Sequence, residues 1–184
     1  MFDVDTFLTD LVACREEAEP RRAAKEVVTR ALADPAKIAA AITPLAGGIS
    51  TLHQSPELTV INVAWAPNMR LMPHNHQMWA LIGIYTGAED NQFFRRDSNG
   101  ALVDTATRRF ETGQVAVLGA ETIHAVANST DRLTAAIHVY GGDFFNEPRS
   151  QWGPGDLVER PWDVAEVNRQ FEAANAAAGL SVEP

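Results

Sequence analysis

A single cysteine, Cys14, is all the thiol this 184-residue chain carries. An internal disulfide is excluded, and a thiolate-rich zinc site of the finger type is disfavoured. Positive charge is also scarce: 15 Lys and Arg stand against 24 Asp and Glu, a formal net charge of -9, and no Lys/Arg-rich run occurs. Such a surface repels nucleic-acid phosphates and anionic lipid headgroups alike, so neither nucleic acid nor membrane is expected as a partner. No apolar run approaches the ~20 residues of a membrane helix. Met1-Phe2-Asp3-Val4-Asp5 lacks the positive-then-apolar pattern of a signal peptide, and the expected location is cytoplasmic. What the chain does have is apolar material. At 46 % hydrophobic residues, and with a length that suits one domain, it can fill a sizeable core.

The texture changes twice along the chain. Residues 1–46 are rich in Ala, Glu and Arg, and Phe7, Leu8, Leu11 and Val12, then Val27, Val28 and Leu32, recur at helical spacing. Two or three helices are expected, with Pro20 and Pro35 in first-turn positions, where the missing amide hydrogen would have no partner anyway. Residues 47–145 break into short β-rich runs: Leu58 to Trp65, Met78 to Tyr85, Asp90 to Arg95, Val115 to Leu118, Ile123 to Ala127 and Leu133 to Tyr140. Thr86-Gly87, Ser98-Asn99-Gly100 and Thr112-Gly113 separate them, the Asn-Gly step marking a hairpin. This rhythm predicts an antiparallel sandwich or barrel. Residues 146–184 form a C-terminal extension with a helix over Asp163 to Ala178, its stripe made by Val164, Val167, Phe171 and Ala174 and its stop by Gly179. No internal repeat and no second domain is visible.

Histidine is scarce too, five in all, yet three of the five fall into one pattern. His74 and His76 in Leu71-Met72-Pro73-His74-Asn75-His76 stand at i and i+2, which on a strand puts both on one face. His124, in Ile123-His124-Ala125-Val126-Ala127-Asn128, is placed to join them from a neighbouring strand. Three imidazoles suit Fe, Zn, Ni or Mn and leave coordination positions free for substrate or dioxygen. The bland alternative is that each is a satisfied core or surface histidine.

These residues resemble the two cupin motifs, G-x5-H-x-H-x3/4-E-x6-G and G-x5-P-x-G-x2-H-x3-N. His74, His76 and Gly87 fill the first, and Gly113, His124 and Asn128 the second, with a 25-residue spacer between them. Asn68 replaces the leading glycine, Gly119 and Glu121 stand at the second motif's proline and inner glycine, and the glutamate slot holds Ala80, or Leu81 at the longer spacing. The resemblance implies a mainly β fold, the cupin double-stranded β-helix (jelly-roll) barrel, with helices at the N-terminus and one at the C-terminus. Three-histidine cupins without the glutamate are similar to the thiol dioxygenases, the cysteine dioxygenase-like group. Their S-x-H-x-Y pattern is matched by Ala136-Ile137-His138-Val139-Tyr140, with Ala136 in place of the serine. What that narrower resemblance implies is Fe(II) held by His74, His76 and His124, with Ni or Zn as other occupants, and oxidation of a small thiol by dioxygen to a sulfinic acid. Tyr140 would donate a hydrogen bond into the iron site, and His138 would orient its hydroxyl.

Several residues keep two readings. The family holds the substrate carboxylate with an arginine upstream of the histidine pair, a region where this chain offers Leu52-His53-Gln54; Arg70, four residues before His74, is the substitute and is otherwise a solvated strand residue. Met78, Trp79 and Ile82 are expected in the barrel wall or pocket rim, Trp79 being the stronger pocket candidate. Glu89 and Asn91, just past Gly87, read as turn groups, and Glu121 as a partner behind His124 or a loop charge. Cys14 lies in the helical segment, so Tyr140 is expected without a thioether cross-link. Two further functional readings stand beside the thiol dioxygenase: a diketone-cleaving three-histidine cupin, and a non-enzymatic cupin that binds a metal or small ligand. A monomer or a homodimer is expected.

Overall fold

The computed structural model describes residues 1–180. Three helices open the chain: α1 (Val4–Ala13), α2 (Pro20–Ala31) and α3 (Pro35–Ala41). The Asp3 carboxylate caps α1 by accepting the Thr6 amide, while Pro20 and Pro35 begin α2 and α3 as expected. Eleven strands follow among the described residues: β1 (Gly48–Gln54), β2 (Thr59–Trp65), β3 (Arg70–Asn75), β4 (Ala80–Thr86), β5 (Ala88–Arg96), β6 (Leu102–Glu111), β7 (Val115–Leu118), β8 (Ile123–Ala127), β9 (Thr134–Tyr140), β10 (Ser150–Trp152) and β11 (Glu159–Pro161). A last helix, α4 (Val164–Ala177), is capped by Asp163 and stopped at Gly179, whose φ is +68°. No helix among the described residues is long and apolar enough to cross a membrane.

The strands form two antiparallel sheets, ordered β1-β2-β9-β4-β7 and β11-β10-β3-β8-β5-β6. This is the double-stranded β-helix, with helices before it and one after. Alternation sorts the first sheet into two cores. Ile61, Val63 and Trp65 of β2, Ala80, Ile82 and Ile84 of β4, and Ala136 and Tyr140 of β9 face the barrel interior. Their neighbours Val60, Ala64, Leu81, Tyr85, Ala135, Ile137 and Val139 pack outward against Phe7, Leu11, Val27, Val28 and Ile38 of the helices. Both faces are thereby dry, which is why β2 and β9 are buried along their whole length and read as near-continuous apolar runs.

The strands expected from alternation are present, and five others, β1, β3, β6, β10 and β11, join them. β6 carries the exposed run Asp104-Thr105-Ala106-Thr107-Arg108-Arg109, which has no apolar face to betray it. Its pairing with β5 follows from the Asn-Gly hairpin. The Asp97 carboxylate accepts the Asn99 and Ala101 amides, and Gly100 sits at φ +81°. Asn68, in the motif's glycine position, adopts φ +60°, a conformation asparagine tolerates better than most residues with a Cβ.

Gly87 is the glycine with the least freedom to change. Its φ is +74°, and a Cβ there would lie 2.2 Å from Thr134 Oγ1 and 3.0 Å from the Thr134 Cα. That hydroxyl bonds both the Ala88 N–H and the Ala88 carbonyl, so it is not free to move aside. Gly87→Ala is expected to cost at least ~2 kcal/mol, the sum of left-handed strain and the clash. Chemical denaturation checks this: the midpoint should fall with the slope unchanged.

Candidate metal centre

β3 and β8 pair in the register that sets His74 directly opposite His124, and an irregularity between Leu71 and His74 adjusts the strand there. His76 follows β3 by one residue, and Gln77 then turns the chain at φ +58°. The three ring centroids lie 5.1 Å (His74 to His76), 4.6 Å (His74 to His124) and 5.0 Å (His76 to His124) apart. One ring nitrogen from each falls within 4.8 Å of the other two, and the Nε2 atoms of His76 and His124 are 3.4 Å apart. Imidazoles clustered this closely gain from a shared cation and would repel one another if protonated.

The outer nitrogens of two are already committed, while His76 Nδ1 has no partner among the described residues. His74 Nδ1 donates to the Met72 carbonyl at 3.0 Å, and His124 Nδ1 donates to Asn91 Oδ1 at 2.8 Å. Each bond fixes the proton on Nδ1 and turns the Nε2 lone pair inward, the tautomer that metal binding requires. Burial holds the rings neutral. His74 is pushed down to about 4, chiefly by burial and further by the positive charge of Arg149. His76 and His124 are held well below the ordinary histidine value, again by burial first and then by neighbouring imidazoles. The donor set, three neutral imidazoles with Ala80 in the slot of a carboxylate, fits a divalent first-row metal with open positions.

These shifts set a pH dependence. A histidine kept neutral in the fold binds its proton only when unfolded, so acid favours unfolding. The metal-free protein should have the full contribution above pH ~6.5 and lose it as the pH falls through the window down to about 4, with His74 alone accounting for roughly 3 kcal/mol. Thermal unfolding of metal-free protein between pH 7.5 and 4.5 checks it; a midpoint that holds across that range would contradict the burial argument.

Around the cluster lies a small cavity of about 30 Å³, bounded in part by the three histidines, Tyr140, Phe144 and Trp162. Tyr140 packs edge-on against His76 at 5.0 Å, and its hydroxyl meets His138 Nδ1 at 2.9 Å. Burial pushes the phenol above its ordinary range. The structure thus brings all five histidine and tyrosine candidates to one place. Cys14 lies in the outer core with the helices, across the first sheet from Tyr140.

The structure chooses between the two readings of the remaining residues and corrects those made for Trp79, Glu89 and Asn91. Arg70 is exposed and lines a groove of about 790 Å³ on the outer face of the second sheet, away from the histidines. Trp79 packs toward the helices and against Gly141, while Trp65 and Trp162 take the cavity-side positions. Glu89 and Asn91 are not turn groups. Both are fully buried on the inward face of β5, Asn91 behind His124 and Glu89 beside His138 and Trp65. Glu121 is an exposed turn residue.

Arg149 was not visible as a site residue. It lies just before β10, 8 % exposed, with its guanidinium carbon 3.8 Å from the centre of the Phe144 ring and 4.4 Å from that of Trp162. One terminal nitrogen donates to the Phe144 carbonyl, and buried Nε has no partner. No carboxylate pairs with it among the described residues. Burial pushes its pKa down to about 10, yet it stays cationic at neutral pH. Trp162, which it covers, lies 5.3 Å from His74 and lines the cavity with Phe144, so this cation stands directly behind the wall of the centre rather than in it.

No protein-family model matches the chain. Solved structures are similar to it at low identity. A cupin superfamily protein from Desulfitobacterium hafniense DCB-2 is 17 % identical, with a TM-score of 0.46, over 58 % of this chain and 88 % of the other. KdgF from Halomonas sp. is 17 % identical, with a TM-score of 0.42, over 55 % and 83 %. The DMSP lyase DddQ from Ruegeria pomeroyi DSS-3 is 16 % identical, with a TM-score of 0.47, over 60 % of this chain and about half, 53 %, of that one. By its own strand order and register, this chain is a double-stranded β-helix of the cupin type that encloses a three-imidazole cluster.

Proposed function

We propose that this protein is a non-haem iron dioxygenase that oxidises a small anionic thiol to its sulfinate. The observation that carries the reading is a neutral three-imidazole cluster with no carboxylate in its donor set, behind whose Phe144 and Trp162 wall stands a buried guanidinium with no counter-ion among the described residues. A desolvated cation without a partner is costly, and an anionic ligand that brings its own charge offsets that cost. Bound by His74, His76 and His124, ferrous iron would supply the redox chemistry that joins thiol and dioxygen, RSH + O2 giving RSO2H, with nickel or zinc as inactive occupants. The absence of a carboxylate ligand supports an anionic partner, because the metal would keep its full positive charge. The charge of Arg149, just behind Phe144 and Trp162, favours an anionic ligand, Phe144 and Trp162 exclude water, and Tyr140 with His138 supplies the polar contact beside His76.

The test is oxygen consumption by iron-loaded protein against a panel of thiols with and without a carboxylate, and of diketones, with the product identified by mass spectrometry. Two oxygen atoms on sulfur are expected for an anionic thiol. Carbon–carbon cleavage of a diketone instead would assign the other enzymatic reading, and a flat panel would leave a metal- or ligand-binding cupin.

A further inference from the structure

The S-x-H-x-Y pattern has Ala136 where a serine hydroxyl would stand, so β9 offers His138 only the Tyr140 hydroxyl, at Nδ1, and no serine for the ring's other nitrogen. A different residue faces that ring. Glu89, fully buried on β5, places Oε1 3.7 Å from His138 Nε2, while the Trp65 indole N–H donates to the same oxygen at 2.8 Å. The separation is longer than a formed hydrogen bond. His138 Nε2 has no partner, and it lies 3.7 Å from a carboxylate whose Oε2 is also unpartnered. Leaving both unmade is costly, and contacts of this kind commonly tighten once a site is filled.

We propose that Glu89 is a positioning residue that holds the His138 proton on Nε2, so that Nδ1 accepts the Tyr140 hydroxyl hydrogen. A carboxylate only accepts, and Trp65 uses only one lone pair of Oε1; the other is available to an Nε2–H. A neutral imidazole carries one proton, and placing it on Nε2 leaves Nδ1 as the acceptor for the hydroxyl 2.9 Å away. The phenol has a single hydrogen. Once it points at His138, the oxygen presents lone pairs to the cavity, so the group it meets there must itself be a donor, a thiol S–H or an ammonium N–H of the substrate. This reverses the direction that the motif alone implies for Tyr140. The substrate consequence rests on the proposed function; the tautomer does not.

The test begins with ¹⁵N-edited NMR of the histidine side chains in metal-free protein at neutral pH, with the His138 signals assigned by difference from His138→Gln. Wild type and Glu89→Gln, which keeps an oxygen acceptor, are expected to show Nε2 protonated and Nδ1 bare. Glu89→Leu should mix in the Nδ1–H form. An imidazolium or an Nδ1–H ring in the wild type overturns the proposal, as does an unchanged tautomer in Glu89→Leu, and the wild-type spectrum decides even if that variant does not fold. A second arm uses iron-loaded protein and an anionic thiol: kcat should fall about 10- to 100-fold in Glu89→Leu with KM little changed, and return in Glu89→Gln. If wild type oxidises no thiol, the dioxygenase reading fails while the spectra still decide the role of Glu89.

Discussion

His124→Ala is expected to reduce bound iron from stoichiometric to background and to abolish oxygen consumption with any thiol. Removing a hydrogen-bonded partner behind a metal-bound histidine typically costs 10- to 100-fold in affinity, so removing one of three ligands should exceed about 10²-fold. The structural cost is smaller. The ring stacks on Phe93 at 6.2 Å and donates to Asn91, and an alanine leaves that amide oxygen without its donor, for roughly 1–3 kcal/mol. Metal titration by calorimetry, paired with denaturant unfolding of the metal-free protein, separates the two effects. Glu121→Ala, three residues away and exposed, is the matched control and should bind metal like wild type. Retention of one tight iron site in His124→Ala would refute the three-imidazole centre.

The second large effect is expected at Arg149. Arg149→Met keeps a long apolar side chain against Phe144 and Trp162 and removes the buried charge. Losing the stacked cation costs ~2 kcal/mol and losing the donor to the Phe144 carbonyl ~1 kcal/mol; both are offset by the desolvation no longer suffered, so stability without ligand should change little. Binding should change a great deal. A buried charge partner is worth roughly 2–5 kcal/mol, so kcat/KM for a mercapto-carboxylate should fall at least ~30-fold, while an aminothiol without the carboxylate is unaffected. Equal losses on both substrates would show that Arg149 only packs the wall.

The three-histidine cluster was legible because it depends on strand geometry: the i, i+2 spacing keeps His76, one residue past β3, on the side of His74, and the pleat of β9 sends His138 and Tyr140 inward together. Arg149 was hidden because an arginine between strands ordinarily meets water, and only the folded chain brings Phe144 and Trp162 to its two faces. Glu89 and Asn91 were concealed by the turn at Gly87. A signal did exist, since Glu89, Asn91 and Phe93 share one period-two face opposite Asp90, Gln92 and Phe94, but two polar residues leading it make the inward face look like the wet one. β6 escaped for the complementary reason, being held by its pairing with β5 and by buried residues only near its two ends, Leu102 and Phe110, rather than by a dry side along its length.

The order in which the centre is assembled follows from which segments wall it. The histidines, Tyr140 and His138 are all in place by residue 140, but Trp162, Val167 and Phe171 close the cavity from the C-terminal extension, with Phe171 stacked on Trp65 at 5.5 Å. Asn175 then fastens that extension to the start of the barrel by donating to the Gly47 carbonyl at 2.9 Å and accepting its amide at 2.8 Å. On a ribosome, where the chain emerges N-terminus first, the imidazoles are therefore gathered while their cover is still inside the exit tunnel. A cation would meet a more open cup during that interval than after the final helix has packed over it.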